Sequence, residues 1–161
     1  RAEAPAARKR RAHPYDGARV FSGSVWEDIA GFCRAARHGD VIHVSGTTAT
    51  NGKEAVASPS RRAGPTDEEA SEDAARAQTT FVLDKIDAAI RMLGGRGLAD
   101  VVRTRVFVPH LDRDWEPVAR EHGRAFRGLA ASANTLVGAG LVGGDYLVEI
   151  EAEALVQAEE P

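Results

Sequence analysis

Cysteine occurs once in the 161 residues, at Cys33, so no internal disulfide is available and a reducing cytoplasm is the default compartment. No CxxC or HExxH spacing is present to hold zinc. No apolar run approaches the roughly 18 residues of a membrane span, which argues against insertion. Internal repeats and an aromatic-rich basic patch are also missing, and the second absence argues against nucleic acid as the main partner. The composition left, 43% hydrophobic and 28% charged, suits one soluble domain with a real core.

Charge is unevenly placed. Residues 1 to 13 hold five Lys/Arg against one acid, a net of +4, which leaves 16 basic against 23 acidic residues, or −7, for the remainder. Residues 1–17 are therefore expected to be a flexible basic tail, and 18–157 a single domain. The chain begins at Arg1 rather than Met, as expected where the true start is missing.

Alternation and punctuation give the elements. ARVFSGS (18–24) reads as a strand, and 32–47 as two strands turning at His38-Gly39-Asp40. Residues 51–65, rich in Gly, Ser and Pro, read as a surface loop. Thr66 with Glu69 forms a capping box, with Asp67 and Glu68 at the positive end of the helix dipole. The helix carries a stripe at Ala75, Thr79, Val82, Ile86, Ala89 and Leu93 and stops at Gly94-Gly95. VVRTRVFVP (101–109) is a strand with Val102, Thr104, Val106 and Val108 on one face. A second helix is expected from Asp114 as N-cap, with Pro117 in its first turn and Trp115, Val118, Ala119, His122 and Phe126 on its packed face. NTLVGAGLV (134–142) is a strand and Gly143-Gly144-Asp145 a turn. In LVEIEAEALV (147–156), Val148, Ile150, Ala152, Ala154 and Val156 face the core while Glu149, Glu151 and Glu153 face away. The order β-β-β-α-β-α-β-β describes an α+β domain with both helices on one face of the sheet. The other face mixes charge with Val, Phe and Leu, for which burial in a homo-oligomer is the simple answer.

The strings RHGDVIHVSGTTA (37–49), DVVRTRVFVPHLDRDW (100–115) and DYLVEIEAEALV (145–156), together with the long helix, resemble the RidA/YjgF family over about residues 30–156. The resemblance implies a chorismate-mutase-like fold, a homotrimeric barrel with helices outside, and three clefts between neighbouring subunits. It also implies hydrolysis of reactive imines or enamines to ketoacids and ammonia, with a small-molecule substrate and with no cofactor or metal. By that resemblance Glu149 is the catalytic residue, and the substrate is held by Gly46 and Thr47 after Ser45, by Thr135, and by Phe32 where many members have tyrosine. Phe126, at the head of the connection into the 134–142 strand, joins this set.

Counted back without a gap from Glu149, the family's carboxylate-clamping arginine falls on Asn134. An amide cannot supply a charge-assisted pair, so Asn134 is expected to hold the substrate's polar end by hydrogen bonds, together with Thr135 and the Gly46-Thr47 backbone. Three readings stay open: a non-standard, pathway-specific imine, enamine or carbonyl substrate; a carboxylate held instead by Arg105 or Arg127; or a small-molecule-binding or regulatory trimer without turnover. RNA cleavage, motivated by the tail alone, is the weakest.

Each residue also has a plainer reading. Glu149 could only pair with Arg103 or Arg105, and Glu151 and Glu153 belong to an interface. His122 reads as a satisfied core histidine, while His43 lies two residues before Ser45, within reach of the cleft. His110, Asp112 and Asp114 read as helix capping rather than a metal site, and Cys33 as a packed small hydrophobe. Gly138, Gly140, Gly143 and Gly144 precede no helix and make no phosphate loop.

Overall fold

A computed structural model describes residues 17–51, 54–58 and 67–156, with only the backbone of 67–70. The capping box at Thr66 and Glu69, and the basic tail, lie outside the described residues. The elements run β1 (Ala18–Val20), α1 (Val25–Ala30), β2 (Ala35–His38), β3 (Val41–Thr48), β4 (Thr50–Asn51), β5 (Glu54–Ala55), α2 (Asp67–Met92), β6 (Val101–Val108), α3 (Leu111–Ala125), β7 (Ala133–Gly138) and β8 (Glu149–Leu155). Six strands form one sheet in the order β1-β2-β3-β8-β6-β7, and β4 and β5 form a separate hairpin. All neighbours in the large sheet are antiparallel except β6 and β7, whose parallel pairing is bridged by α3. No helix among the described residues is long and apolar enough to cross a membrane.

The expected stripe of α2 is buried at every position from Ala75 to Leu93, and it packs on the inward residues Ile42, Val44, Val106, Ile150, Ala152 and Ala154. Each fully buried Val or Ile there contributes about 1.5–3 kcal/mol. The helix ends as its glycines require: Gly94 N donates to Arg91 O and Gly95 N to Ile90 O, with Gly94 at φ 82°. The buried Arg37 adds a 2.6 Å bond to Leu93 O.

Five expectations need correction. The strand expected over 134–142 runs only from Ala133 to Gly138, as β7. The stretch 18–24 is a strand only to Val20; Ser24 then caps α1, a helix not expected from the sequence, by accepting from Trp26 N. Where a loop is expected from residue 51, the described residues instead form the β4–β5 hairpin, with Thr50 opposite Ala55 and Asn51 opposite Glu54. Helix α3 starts one turn early, because His110 O accepts from Arg113 N and Asp114 N. Asp114 is therefore buried inside the helix, bonded by Ser71 and Arg113, Pro117 sits in the second turn, and Trp115 turns outward at 49% exposure. In β6 the register slips between Val101 and Arg103, so Val101 points inward and Val102 outward, while Thr104, Val106 and Val108 stay buried as expected.

Candidate functional site

The site begins with a flaw in the sheet. Val44 pairs with Ala152 and Thr47 with Ile150, so β3 uses one more residue than β8 between these pairs. The extra residue makes a β-bulge at Ser45-Gly46, a device that re-aims neighbouring groups. The buried Arg34 holds it open. Its Nη1 donates to Gly46 O at 2.7 Å, to Thr47 Oγ1 at 2.9 Å and weakly to Ser45 O at 3.4 Å. Ser45 N returns a bond to Arg34 O, and Ser45 Oγ donates to Cys33 O.

Behind Arg34 stands Glu27 of α1, 4% exposed, with Oε1 3.9 Å from Arg34 Nε. Burial alone would raise the Glu27 pKa. The bonds from Ser22 N, Ser22 Oγ and Gly23 N, with the nearby Arg34 charge, outweigh it and hold the carboxyl below its usual value.

Above the bulge lies Glu149, paired in register with Thr48 on one side and Phe107 on the other. A Cβ added at Gly46 would stand 2.0 Å from Glu149 Oε1, so the carboxyl occupies the space a side chain would need. Burial first, and repulsion from Glu151 second, raise the Glu149 pKa, and Arg34 opposes them. Among the described residues no ion pair or hydrogen bond engages the Glu149 carboxyl; Arg105, the suggested partner, instead pairs with Glu151 at 2.5 Å and Glu153 at 3.4 Å.

Glu149 and Gly46 open into a cleft of about 530 Å³. Trp26, Phe32, Phe81, Val142 and Tyr146 form its apolar walls, and Arg34, Lys85, Thr48 and Thr50 its polar ones. The buried Gln78 of α2 fixes one wall by donating to Asp145 O and accepting from Leu147 N, which sets Tyr146 against Thr50 Oγ1 at 2.8 Å.

Of the residues singled out from the sequence, the structure brings Glu149, Gly46 and Phe32 together. Thr47, expected to hold substrate, is instead fully buried with its hydroxyl bonded to Ser45 O and to Arg34, and it does not line the cleft. Phe126 packs in the core, stacked on His122 at 4.7 Å, and does not line the cleft. His122 shares a hydrogen bond with Thr104 Oγ1, and burial lowers its pKa, as suits a core histidine. Arg105 lines a different, smaller hollow of about 190 Å³ with His43, Arg103, Glu151 and Glu153.

Asn134 needs the sharpest correction. It lies on the edge strand β7 opposite Thr104, and its Nδ2 donates to Thr104 Oγ1 on the helix side of the sheet. The pleat gives the other side to Ala133 and Thr135, opposite Arg103 and Arg105, so within one chain neither Asn134 nor Thr135 reaches Glu149. Sequence reasoning missed Arg34, Lys85, Trp26 and Tyr146. A signal existed for Arg34, an arginine beside the alternating apolar residues of a hairpin strand; for Lys85 it was its place three residues after Val82, at the rim of the stripe.

Comparison with known proteins agrees with this fold. A family model described as Endoribonuclease L-PSP matches residues 24–156. An uncharacterised protein of Streptomyces coelicolor, SCO2049, is 35% identical over 136 residues, 84% of this chain and 90% of that protein. The crystal structure of Rv2704 from Mycobacterium tuberculosis, a member of the YjgF/YER057c/UK114 family, is 35% identical with a TM-score of 0.67 and covers 86% of this chain and 98% of its own. The YjgF gene product of E. coli, at 24% identity and a TM-score of 0.61 over 77% of this chain and 87% of that one, shares the fold.

Two outcomes follow from the bulge. Arg34→Met removes charged donors from buried carbonyls and a counter-charge from Glu27, and should lower unfolding free energy by about 3 kcal/mol in urea melts; a loss under about 1 kcal/mol contradicts the role given to Arg34. Gly46→Ala meets only the flexible end of Glu149, so the fold should persist while the displaced carboxyl lowers any Glu149-dependent activity by about 100-fold. Undiminished activity in a folded Gly46→Ala protein would show that the contact is idle.

Proposed function

The chain belongs to the RidA/YjgF family, and from that premise we propose that it is a cofactor-free hydrolase of reactive imines or enamines, with Glu149 as its general acid and base. The carrying observation is the Glu149 carboxyl: half-buried, raised in pKa, without an ion pair, and seated on Gly46 in an aromatic-walled cleft. A carboxyl so placed remains protonated to higher pH than usual and can give as well as take a proton. In the proposed reaction the Glu149 proton passes to the imine nitrogen. The resulting carboxylate accepts a proton from water as its oxygen bonds to the C=N carbon. The same proton returns to nitrogen, the C–N bond breaks, the hydroxyl proton goes back to Glu149, and ammonia and a carbonyl compound leave.

We further infer that the working unit is a homotrimer with the basic tail outside a single domain of residues 18–157. Val41 and Leu155, cross-strand partners on the open face, are 37% and 46% exposed in the single chain, and the outer edge of β7 is unpaired among the described residues. A neighbouring copy would cover that face and complete the cleft with residues such as Thr135. Sedimentation should give three times the chain mass of 17.1 kDa; a monomer at micromolar concentration would remove the intersubunit cleft.

The reaction is tested by ammonia release from imino acids freshly generated by an amino-acid oxidase. The parent should accelerate release, and Glu149→Gln should lose at least about 100-fold. The variant should also melt at or above the parent's temperature. The sign follows from linkage: with the folded pKa above the unfolded one, the carboxylate costs stability at neutral pH, and this cost fades as pH falls through the folded pKa, so the gap should narrow in acid. Equal ammonia release by parent and variant rejects Glu149 as the catalyst, and no release by either favours a binding protein without turnover.

A further inference from the structure

The α2 helix places an ammonium in the wall of the cleft. Lys85 Nζ donates to Thr48 O at 3.1 Å and Thr50 O at 3.2 Å and lies 5.7 Å from the centre of the Phe81 ring. An ammonium has three donors, and two are spent here on neutral carbonyls. Among the described residues no carboxylate lies in ion-pair range of Lys85. Burial, then repulsion from Arg34, lower its pKa, with Glu27 opposing. A half-buried cation of this kind lacks the counter-charge that buried charges ordinarily require.

Beside it, Tyr146 OH accepts from Thr50 Oγ1, which in turn shares a hydrogen bond with Thr48 Oγ1. The phenolic proton is left to give. Two donors, one charged, are therefore held by the same threonine at the wall of the cavity, a set suited to the two oxygens of a carboxylate. The other cations considered from the sequence are placed elsewhere: Arg105 is engaged by Glu151 and Glu153, and Arg127 is exposed beyond α3.

We propose that Lys85, with the Tyr146 hydroxyl, is the anion anchor of the cleft and takes a carboxylate borne on an aromatic or bulky aliphatic body. The body is set by the walls, since Trp26, Phe32, Phe81 and Val142 surround a volume of about 530 Å³, within the range of pockets that enclose a small organic ligand. The claim rests on the hydrolase reading for the reacting end of the ligand only; the anchor is a statement about binding.

The test uses two probes that differ by one charge: phenylpyruvate, and phenylacetone, which has the same body without the carboxylate. Calorimetric titration of the parent should give at least about tenfold tighter binding of phenylpyruvate, the size of one charge-assisted contact. Lys85→Met should bring the ratio close to one with phenylacetone affinity unchanged, Lys85→Arg should keep part of the preference, and Tyr146→Phe should reduce it. A merely structural lysine would shift both affinities together.

The proposal is overturned if the parent binds the two probes equally, if it binds neither at millimolar concentration, or if Lys85→Met keeps the preference. Arg34 also lines the cleft, so should Lys85→Met not fold, Tyr146→Phe decides, an undiminished preference in that variant overturning the proposal. Charge preference without ammonia release would leave the anchor standing and defeat the hydrolase reading, whereas ammonia release with an unaltered ratio in Lys85→Met would do the reverse.

Discussion

The register slip between Val44 and Thr47 survives because Arg34 bonds the carbonyl and hydroxyl groups that the slip leaves without sheet partners. Unsatisfied groups at this depth would be expensive, and a buried guanidinium without a counter-charge would be as well. Each therefore requires the other, and Glu27, pinned by the Ser22 and Gly23 amides, completes the arrangement. Gly46 can then lie flat under Glu149, and a strand residue that would otherwise be an ordinary solvent-facing glutamate becomes a half-buried acid.

The sheet has two faces with different electrostatics. On its helix side the polar groups are paired: Asp114 with Ser71 and Arg113, Asn134 with Thr104, Gln78 with the 145–147 turn. On its open side Arg105 spans Glu151 and Glu153. Exposed pairs of that type contribute little to stability in water, but they leave few charges on this face without a partner in the same chain. Glu149 stands at the end of this row without a pair, and that separates it from the two glutamates that follow it.

Much of the fold was legible because its signals are local and periodic. The Ala75–Leu93 stripe and the alternation of 148–154 each repeat several times over, so one misreading cannot shift them, and the Gly94-Gly95 stop falls where the stripe ends. Signals that rest on a single residue were less secure. Asp114 reads as an N-cap, yet a carbonyl at His110 starts the helix earlier, and Trp115 rotates outward as a result. Counting from Glu149 back to Asn134 treats the chain as a ruler, but the pleat sends Asn134 to the helix side and Ala133 and Thr135 to the other. Glu149 and Gly46 lie in the strings that carry the family resemblance, and Phe32 was reached by extending the same alignment. Arg34 and Lys85 lie outside those strings, and Tyr146 lies inside one without a signal of its own, since what makes all three important is a bulge and a turn that bring distant segments to one cavity.

If the bulge makes an acid of Glu149, titration of that side chain by NMR with isotope-labelled glutamate, its resonance identified by its loss in Glu149→Gln, shows it directly. The midpoint should lie above the ordinary glutamate range of about 4.3 and fall toward that range in a folded Gly46→Ala protein. A midpoint already ordinary in the parent would contradict it.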